Sequence, residues 1–250
     1  MKNQYIGDIG DYGKYGLLRY LSSQGIKIGV NWYLTPNDER TDGLHTGYLN
    51  MPEMKDYDPE LFMKMKELAP IAREEKTVQM VEESGLFSGF IFYHEKLNTD
   101  DKFFNEREAE RERWHQNALR QLEGAKLVFV DPDNGLVRKM RTSRKGSHKY
   151  ISREEIKDYF EAGKDVVYYH HRSRKNDEGW MQDKTIMKDL AGVRLLAVSA
   201  HRWGNRAYIF VVHEKNYEFY RNIIEEFLKT RWGERMPGKR MPFFTIEDVQ

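Results

Sequence analysis

Short apolar runs alternate along this chain with longer segments in which apolar residues recur at helical spacing. Runs of this length are typical of buried strands, and the amphipathic segments are typical of helices that cover a sheet. The predicted strands are 26–34, 89–95, 127–130, 165–169, 195–200 and 207–213. The predicted helices are 11–24, 59–68, 72–83, 105–122, 152–162, 180–190 and 217–231. Strands that alternate with helices predict an α/β protein with a mostly parallel sheet.

The end of the chain departs from this alternation. Two predicted strands, 195–200 and 207–213, are separated only by a turn at 203–205, which favours an antiparallel hairpin. No internal repeat and no linker rich in Gly, Ser or Pro divides the sequence. We therefore predict a single three-layer, Rossmann-like α/β domain over residues 1–250. It would have a mostly parallel sheet, a C-terminal antiparallel hairpin and a polar tail over 232–250.

Composition restricts the chemistry and the compartment. The 250 residues contain no cysteine, which excludes disulfides, thiolate zinc sites and cysteine nucleophiles. The chain carries 41 Lys and Arg against 40 Asp and Glu, so the formal net charge of +1 excludes a grossly basic nucleic-acid coat. The N-terminus is polar and no apolar run is long enough to cross a membrane, so we expect a cytoplasmic protein with no membrane partner.

The most informative segment joins the apolar run 127–130 to the sequence Asp-Pro-Asp-Asn-Gly. Pro132 cannot donate to a strand ladder, so the strand must end there. The catalytic candidates Asp131, Asp133 and Asn134 are then expected at the carboxyl end of a central strand, where open α/β sheets bind their ligands. Each of these residues also favours turns, so a purely structural turn is the alternative.

A further catalytic candidate ends the next predicted strand, at His170-His171. Neighbouring residues of a strand point to opposite faces, and we expect His170 to face the site. It would serve as a general base, or as a metal ligand together with Asp131 and Asp133. Such carboxylates suit Mg²⁺ or Mn²⁺, whereas a satisfied polar strand end is the structural alternative.

Basic residues follow both strand ends. The candidate substrate contacts are Arg138 and Lys139 after the first strand, and Arg172 and Arg174 after the second. Further basic residues extend this predicted rim: Arg141, Arg144, Lys145, Lys149, Lys175, Arg202 and Arg206. Phosphate contacts supply much of nucleic-acid affinity, so a basic rim around an acidic centre predicts a nucleic acid or a nucleotide as substrate. Two solvated loops without a ligand are the alternative.

The segment 7–11, Gly-Asp-Ile-Gly-Asp, opens the first predicted helix. Its two aspartates would repel phosphate, so helix capping explains them better than a phosphate-binding loop. Lys14 lies one turn into the helix and is expected to reach the substrate. Asp42 and His45 follow the first predicted strand and are the candidate cofactor contacts.

Residues 7–15 read Gly-Asp-Ile-Gly-Asp-Tyr-Gly-Lys-Tyr, and residues 131–134 read Asp-Pro-Asp-Asn. These motifs resemble two signatures of the bacterial large-subunit rRNA adenine-N6 methyltransferases. One is the Gly-Asn-x-x-Asp-x-x-Lys-His pattern before the first strand, and the other is the Asp-Pro-Pro-Tyr motif after the fourth. The resemblance implies a class I methyltransferase fold, S-adenosylmethionine as cofactor, and a substrate amine that donates a hydrogen bond to Asp131.

The sequence departs from that family at two places. No glycine-rich loop follows the first predicted strand, where the family's backbone approaches its cofactor. Asp133 and Asn134 replace the second proline and the aromatic residue that stacks on a flipped base. Three functions remain open, and the resemblance ranks a methyltransferase-like enzyme acting on nucleic acid or nucleotide first. The others are a metal-dependent nuclease or phosphohydrolase using Asp131, Asp133 and His170, and an inactive nucleic-acid-binding module.

Overall fold

The computed structural model describes residues 1–39, 43–172, 176–202 and 206–249. Its helices are α1 (Ile9–Ser23), α2 (Pro59–Leu68), α3 (Val78–Glu82), α4 (Arg107–Gln121), α5 (Arg153–Glu161), α6 (Asp177–Lys184) and α7 (Tyr217–Lys229). Its strands are β1 (Ile28–Asn31), β2 (Ile91–Tyr93), β3 (Leu127–Val130), β4 (Gly135–Val137), β5 (Tyr150–Ser152), β6 (Asp165–His171), β7 (Val193–Ala200), β8 (Arg206–His213) and β9 (Phe244–Asp248). The α/β class predicted from the sequence is therefore confirmed.

Seven of these strands form one mixed sheet in the order β2-β1-β3-β6-β8-β7-β9, and β4 pairs with β5 in a separate small sheet. Strands β2, β1, β3 and β6 run parallel, whereas β8 is antiparallel to both β6 and β7. The antiparallel pairing of the predicted strands 195–200 and 207–213 is confirmed, although the predicted turn at 203–205 lies outside the described residues. A sheet of this kind, with helices on both faces, is compatible with a Rossmann-like fold.

Side chains alternate across the sheet and fill two separate cores. Phe129 of β3 and Val167 of β6 belong to the core shared with α1, α2 and α7. Val128 and Val166 belong to the core on the opposite face, which α4, α5 and α6 cover. Burial on both faces explains why the central strands are continuous apolar runs. The face of the sheet that α1, α2 and α7 cover is called the α1 face. The same alternation determines which polar side chains beyond the strand ends lie on it.

Local sequence signals predicted one helix start correctly and missed another. Ser152 and Glu155 form the predicted capping box at the start of α5. The helix predicted over 72–83 is reduced to the short α3, because the chain before it is held by tertiary contacts. One of these is the bond that the buried ammonium of Lys76 donates to the carbonyl of Ile6. No helix in the described ranges has both the length and the apolar character that a membrane crossing requires.

Two glycines of α1 allow aromatic side chains to approach the helix backbone. An added Cβ at Gly13 would lie 2.4 Å from the ring of Phe243. At Gly16 it would lie 2.2 Å from the ring of Trp232. Neither distance is compatible with a side chain, so glycine is needed at both positions for this close packing.

The segment 232–250, predicted to be a polar tail, instead contributes to the core. Trp232, Phe243 and Phe244 are buried in the core on the α1 face. Strand β9 pairs with β7 and adds an edge to the sheet. Trp232 stands alone and Phe243 and Phe244 are adjacent, so these aromatic residues show no helical or strand period that would predict their burial.

The substitution Gly16→Ala tests the contact between α1 and the C-terminal segment. Alanine normally stabilises a helix interior by about 1 kcal/mol relative to glycine. Here we expect a loss of about 1–3 kcal/mol in the free energy of unfolding in urea, because the new methyl group overlaps the buried indole of Trp232. Gly47→Ala is the control, since an added Cβ there meets no atom within 4 Å. A more stable Gly16→Ala protein would contradict the packing.

Candidate active site

A cavity of about 380 Å³ opens at the carboxyl ends of β3 and β6, on the α1 face of the sheet. Its walls come from the first residues of the chain, the start of α1, the segment after β3, the end of β6 and the start of β8. Asp131, Asp133 and Asn134, three of the predicted catalytic residues, line it. We name it the Asp131 cavity; its central side chains are those of Asp131, Asp133, Lys14, Tyr169, His171 and Arg206.

Strand register places the cavity side chains on one face. Phe129 of β3 pairs with Val167 of β6, and both lie in the α1-side core. Two residues further along each strand, Asp131 and Tyr169 share that face. His171 follows Tyr169 after another two residues and also lines the cavity.

His170 lies outside the cavity, in contrast to its predicted catalytic role. It is 3% exposed, and its Nδ1 accepts a hydrogen bond of 3.0 Å from the amide of Leu136. Its ring stacks on Trp180, and its Nε2 lies 3.6 Å from a carboxylate oxygen of Asp183. These contacts hold β4 beside β6. The next residue, His171, is exposed and lines the cavity.

Lys14 joins two carboxylates in the wall of the cavity. Its Nζ lies 2.6 Å from Oδ2 of Asp131 and 2.8 Å from Oδ1 of Asp11. We name these three residues the Lys14 cluster; each of their side chains is at most 6% exposed. Lys14 therefore lies in the site, as the sequence predicts, although its partners there are carboxylates. Because an unpaired buried charge is costly, the three groups depend on one another.

Burial changes the proton affinity of the cluster. It is the main cause that raises the pKa of Asp11 to about 6, against the opposing effect of Lys14. Burial acts to lower the pKa of Lys14, but Asp11 and Asp131 raise it well above its ordinary value. Within the described residues, Oδ2 of Asp11 is buried and has no hydrogen-bond partner. Lys14 is thus a permanent cation, whereas Asp11 changes its charge near neutral pH.

The capping interpretation of the N-terminal aspartates applies to Asp8. Its carboxylate accepts hydrogen bonds from the amides of Gly10 at 2.7 Å and His45 at 3.0 Å. Arg206 approaches the same helix turn, since an added Cβ at Gly10 would lie 1.7 Å from its guanidinium group. Asp11, in contrast, points to Lys14. The start of α1 therefore supplies both a capping residue and a member of the Lys14 cluster.

Positive groups surround the carboxylate of Asp133. The N-terminal ammonium of Met1 lies 2.9 Å from Oδ1, and Nζ of Lys2 lies 3.7 Å from Oδ2. The hydroxyl of Thr35 donates a 3.2 Å hydrogen bond to Oδ2. Burial acts to raise the pKa of Asp133, but these groups lower it below its ordinary value. Asp133 is therefore held as an anion by the chain's own groups.

The same ammonium fills the crevice between β1 and β3. It donates hydrogen bonds to the carbonyl of Tyr33, after β1, at 3.2 Å and to the carbonyl of Asp131, after β3, at 2.6 Å. The strand order reverses at β1, which has β2 on one side and β3 on the other, and open α/β sheets bind ligands at such a point. Met1 is buried there, so the cavity lies one strand further along the sheet, beside β3 and β6.

The predicted basic rim is only partly at the cavity. Arg138 and Lys139 are exposed after β4 and do not line it. Arg172 is paired with the carboxylate of Asp177, also outside the cavity. Arg174 lies outside the described residues. Two basic residues that extended the predicted rim, Lys149 and Arg206, do line the cavity.

One of the two predicted cofactor contacts can be placed. His45 is exposed and lines the cavity, next to the start of α1. Asp42 lies outside the described residues. The cavity residues that were not among the predicted site residues include Asp11, Tyr169 and His171. Tyr169 and His171 follow Val167 at steps of two residues, so they lie on the same face of the sheet as Phe129. The pairing of β3 with β6, which the sequence does not show, is needed to predict this.

The structure does not assemble the alternative metal site. Asp131 is bonded to Lys14, Asp133 is paired with the ammonium of Met1, and His170 lies on the other face of the sheet. In the part of the chain that the structure describes, no group of three or more His, Asp and Glu side chains could hold a metal ion.

Comparison with protein-family models, curated proteins and solved structures finds no match to this chain.

The raised pKa of Asp11 predicts a pH dependence of stability. Between pH 3.8 and about 6, the folded state holds a proton on Asp11 that the unfolded state releases. The free energy of unfolding should therefore fall as the pH rises through this window, by up to about 1.4 kcal/mol per pH unit from this group. Urea unfolding at several pH values should show a shallower fall for Asp11→Asn, which lacks the titrating group.

The control is Asp189→Asn, which changes an exposed aspartate and should keep the wild-type slope. If Asp11→Asn and the wild-type protein lose stability equally over this pH range, Asp11 does not have a raised pKa.

Proposed function

We propose that this chain is an enzyme that acts on a nucleotide or a nucleic acid in the Asp131 cavity, through the Lys14 cluster. The observation that carries the proposal is the cluster itself, in which a fixed ammonium adjoins an acid that titrates near neutral pH. Acids of this kind are suited to general acid–base catalysis. Buried ion pairs are often no more stable than apolar replacements, so stability alone does not favour such a cluster.

The substrate class follows from the cations and the aromatic ring on the cavity wall. Lys149 and Arg206 line the cavity together with Lys2 and Lys14. Cations arranged around a cavity favour a phosphate-bearing ligand. Tyr169, on the same wall, offers a surface on which a base can stack. A nucleotide unit combines both of these groups.

Asp131 is the residue that we assign to the reacting group. Lys14 bonds its Oδ2, which within the described residues leaves Oδ1 to accept a hydrogen bond or a proton from the substrate or from water. Pro132 stiffens the backbone directly after it. Asp11, on the other side of Lys14, can hold or release a proton at neutral pH.

Phosphoester hydrolysis fits this arrangement best. Asp131 takes a proton from the attacking water as its oxygen bonds to phosphorus, and protonated Asp11 gives a proton to the departing oxygen. The cations of the cavity stabilise the negative charge on the phosphoryl oxygens. The carboxylates that a metal ion would need are already bonded to Lys14 and to the ammonium of Met1.

Asp131→Asn should abolish turnover while the protein stays folded. Asparagine has the same shape and still accepts a hydrogen bond from Lys14, so we expect at least a ~100-fold loss of hydrolysis with little change in substrate affinity. The measurement is cleavage of single-stranded DNA, single-stranded RNA and mononucleotide phosphoesters, with and without added Mn²⁺. The control is Asp183→Asn, a buried aspartate on the opposite face of the sheet, which should retain activity.

Each other outcome contradicts the proposed reaction in a different way. Cleavage that requires Mn²⁺ would favour the metal-dependent enzyme. Substrate binding without turnover by the wild-type protein would favour the inactive binding module. Full activity of Asp131→Asn would remove Asp131 from the mechanism.

A second candidate function, methyl transfer, is favoured by the order of the strands. The antiparallel strand β8 is inserted between β6 and β7 at the end of a parallel sheet, an arrangement that supports a class I methyltransferase-like scaffold. The two motifs that resemble the rRNA methyltransferases, at 7–15 and 131–134, also meet in one cavity through Lys14 and Asp131.

The residues at the crevice between β1 and β3 do not fit S-adenosylmethionine. Met1 is buried there. Shortly after β1 the backbone is left-handed at Tyr33, with φ 48°, and this residue is not a glycine. A side chain at this point prevents the close backbone approach that a glycine-rich loop permits. We therefore assign no catalytic step to this cofactor.

Thermal unfolding with S-adenosylmethionine or S-adenosylhomocysteine decides between the two candidates. A ligand that binds only the folded state stabilises it by about 2.7 kcal/mol at a concentration of 100 Kd. We expect no rise in melting temperature, because the crevice is filled. Adenosine serves as the control for recognition of the base alone. A rise with the methyl donor that exceeds the rise with adenosine would place methyl transfer first.

A further inference from the structure

We propose that two loops beside the Asp131 cavity form a binding surface for a single strand of nucleic acid, so that the substrate is a polymer. The surface consists of Phe103, Phe104, Arg141, Arg144 and Lys145, and we name it the strand surface. This inference rests on the proposed function, because it extends the same substrate beyond the cavity.

Two neighbouring phenylalanines point into solvent on this surface. Phe103 is 78% exposed and Phe104 is 72% exposed, more than any other large apolar side chain in the described residues. Exposed apolar groups side by side mark a contact site more often than an isolated one does. Aromatic rings that are open to solvent are the platforms on which unpaired bases stack.

The second loop brings positive charge. Residues 138–149 include no acidic residue, and Arg138, Lys139, Arg141, Arg144 and Lys145 are all exposed. Among the described residues none of these five is held in an ion pair, so their charge is directed to solvent. Cations on this loop would supply the salt-dependent part of the affinity for a phosphate backbone.

Direct contacts hold the two loops together. The guanidinium group of Arg107 donates a 2.8 Å hydrogen bond to the carbonyl of Ser143. The amide of Gly146 donates hydrogen bonds of 3.0 and 3.1 Å to the carboxylate of Asp100. The loop with the phenylalanines is thereby fixed beside the loop with the cations, and the rings and charges form one surface.

The loop that carries the cations of the strand surface begins and ends at the cavity. The basic loop leaves the cavity wall after Asn134 and returns to it at Lys149, and both residues line the cavity. The amide of Asn134 donates a 3.0 Å hydrogen bond to the carbonyl of Lys149, which closes the base of the loop. A strand bound on the loop therefore has a path to Asp131.

The phenylalanines favour a single strand over the alternatives. In a duplex the base faces are already stacked on one another, so the rings would have no partner. An acidic peptide would use the cations but would gain nothing specific from two adjacent phenyl rings. The occupant that uses both groups is single-stranded DNA or RNA.

The test is fluorescence anisotropy with a short labelled DNA or RNA oligonucleotide of mixed sequence, compared with its duplex at low salt. We expect the wild-type protein to bind the single strand more tightly than the duplex. The double variant Phe103→Ala, Phe104→Ala should weaken single-strand binding by at least ~10-fold. The triple variant Arg141→Ala, Arg144→Ala, Lys145→Ala should weaken it and make the salt dependence shallower.

Matched controls come from elsewhere on the surface. Phe219→Ala removes another exposed phenylalanine, and Arg235→Ala, Lys239→Ala, Arg240→Ala removes three other exposed cations. Both control proteins should bind as the wild type does. The proposed surface would be overturned by equal affinity for duplex and single strand, or by loss of binding in the control proteins. It would also be overturned if polyglutamate displaced the labelled oligonucleotide as well as an unlabelled single strand does.

The two proposals fail separately in these experiments. Asp131→Asn should keep single-strand affinity and lose turnover. If the variants of the strand surface bind and cleave oligonucleotides as the wild type does, the surface is wrong while hydrolysis at Asp131 stands. If single strands bind to this surface but no phosphoester is cleaved, the surface stands and the proposed reaction is wrong.

Discussion

The buried ammonium of Lys14 ties the first helix to the central strand at the edge of the sheet where the Asp131 cavity opens. Its two bonds connect Asp11 of α1 with Asp131 after β3, and the loss of the Lys14 charge would leave both buried carboxylates unpaired. The position of α1 on the sheet and the charge of the cavity therefore depend on the same side chains. The fold cannot be made more apolar at this point without removing the chemistry of the site.

Much of the fold was predictable because its signals are local. The run at 127–130 is apolar at every position since both faces of β3 are covered, and the proline that follows ends it. The capping box at Ser152 and Glu155 likewise involves only neighbours in sequence. The position of Asp131 at the end of a central strand follows from these local patterns alone.

The parts that sequence reasoning missed depend on contacts between distant residues. Nothing near His170 and His171 shows which of them faces α1; the register between β3 and β6 decides that. The ammonium of Met1 between Tyr33 and Asp131 has no sequence pattern at all. This contact fills the usual crevice, so the cavity lies beside the next strand and is lined by Lys149 and Arg206 rather than by the basic residues that follow β4.

The glycines of α1 also affect the order in which the chain folds. Glycine lowers the helix propensity of this segment, so its helical form relies on packing more than on local preference. The partners at Gly13 and Gly16 are Phe243 and Trp232, which lie far later in the sequence. Contacts of such long sequence separation form late and slow folding. The first helix of this protein therefore reaches its final packing only after Trp232 and Phe243 have been made.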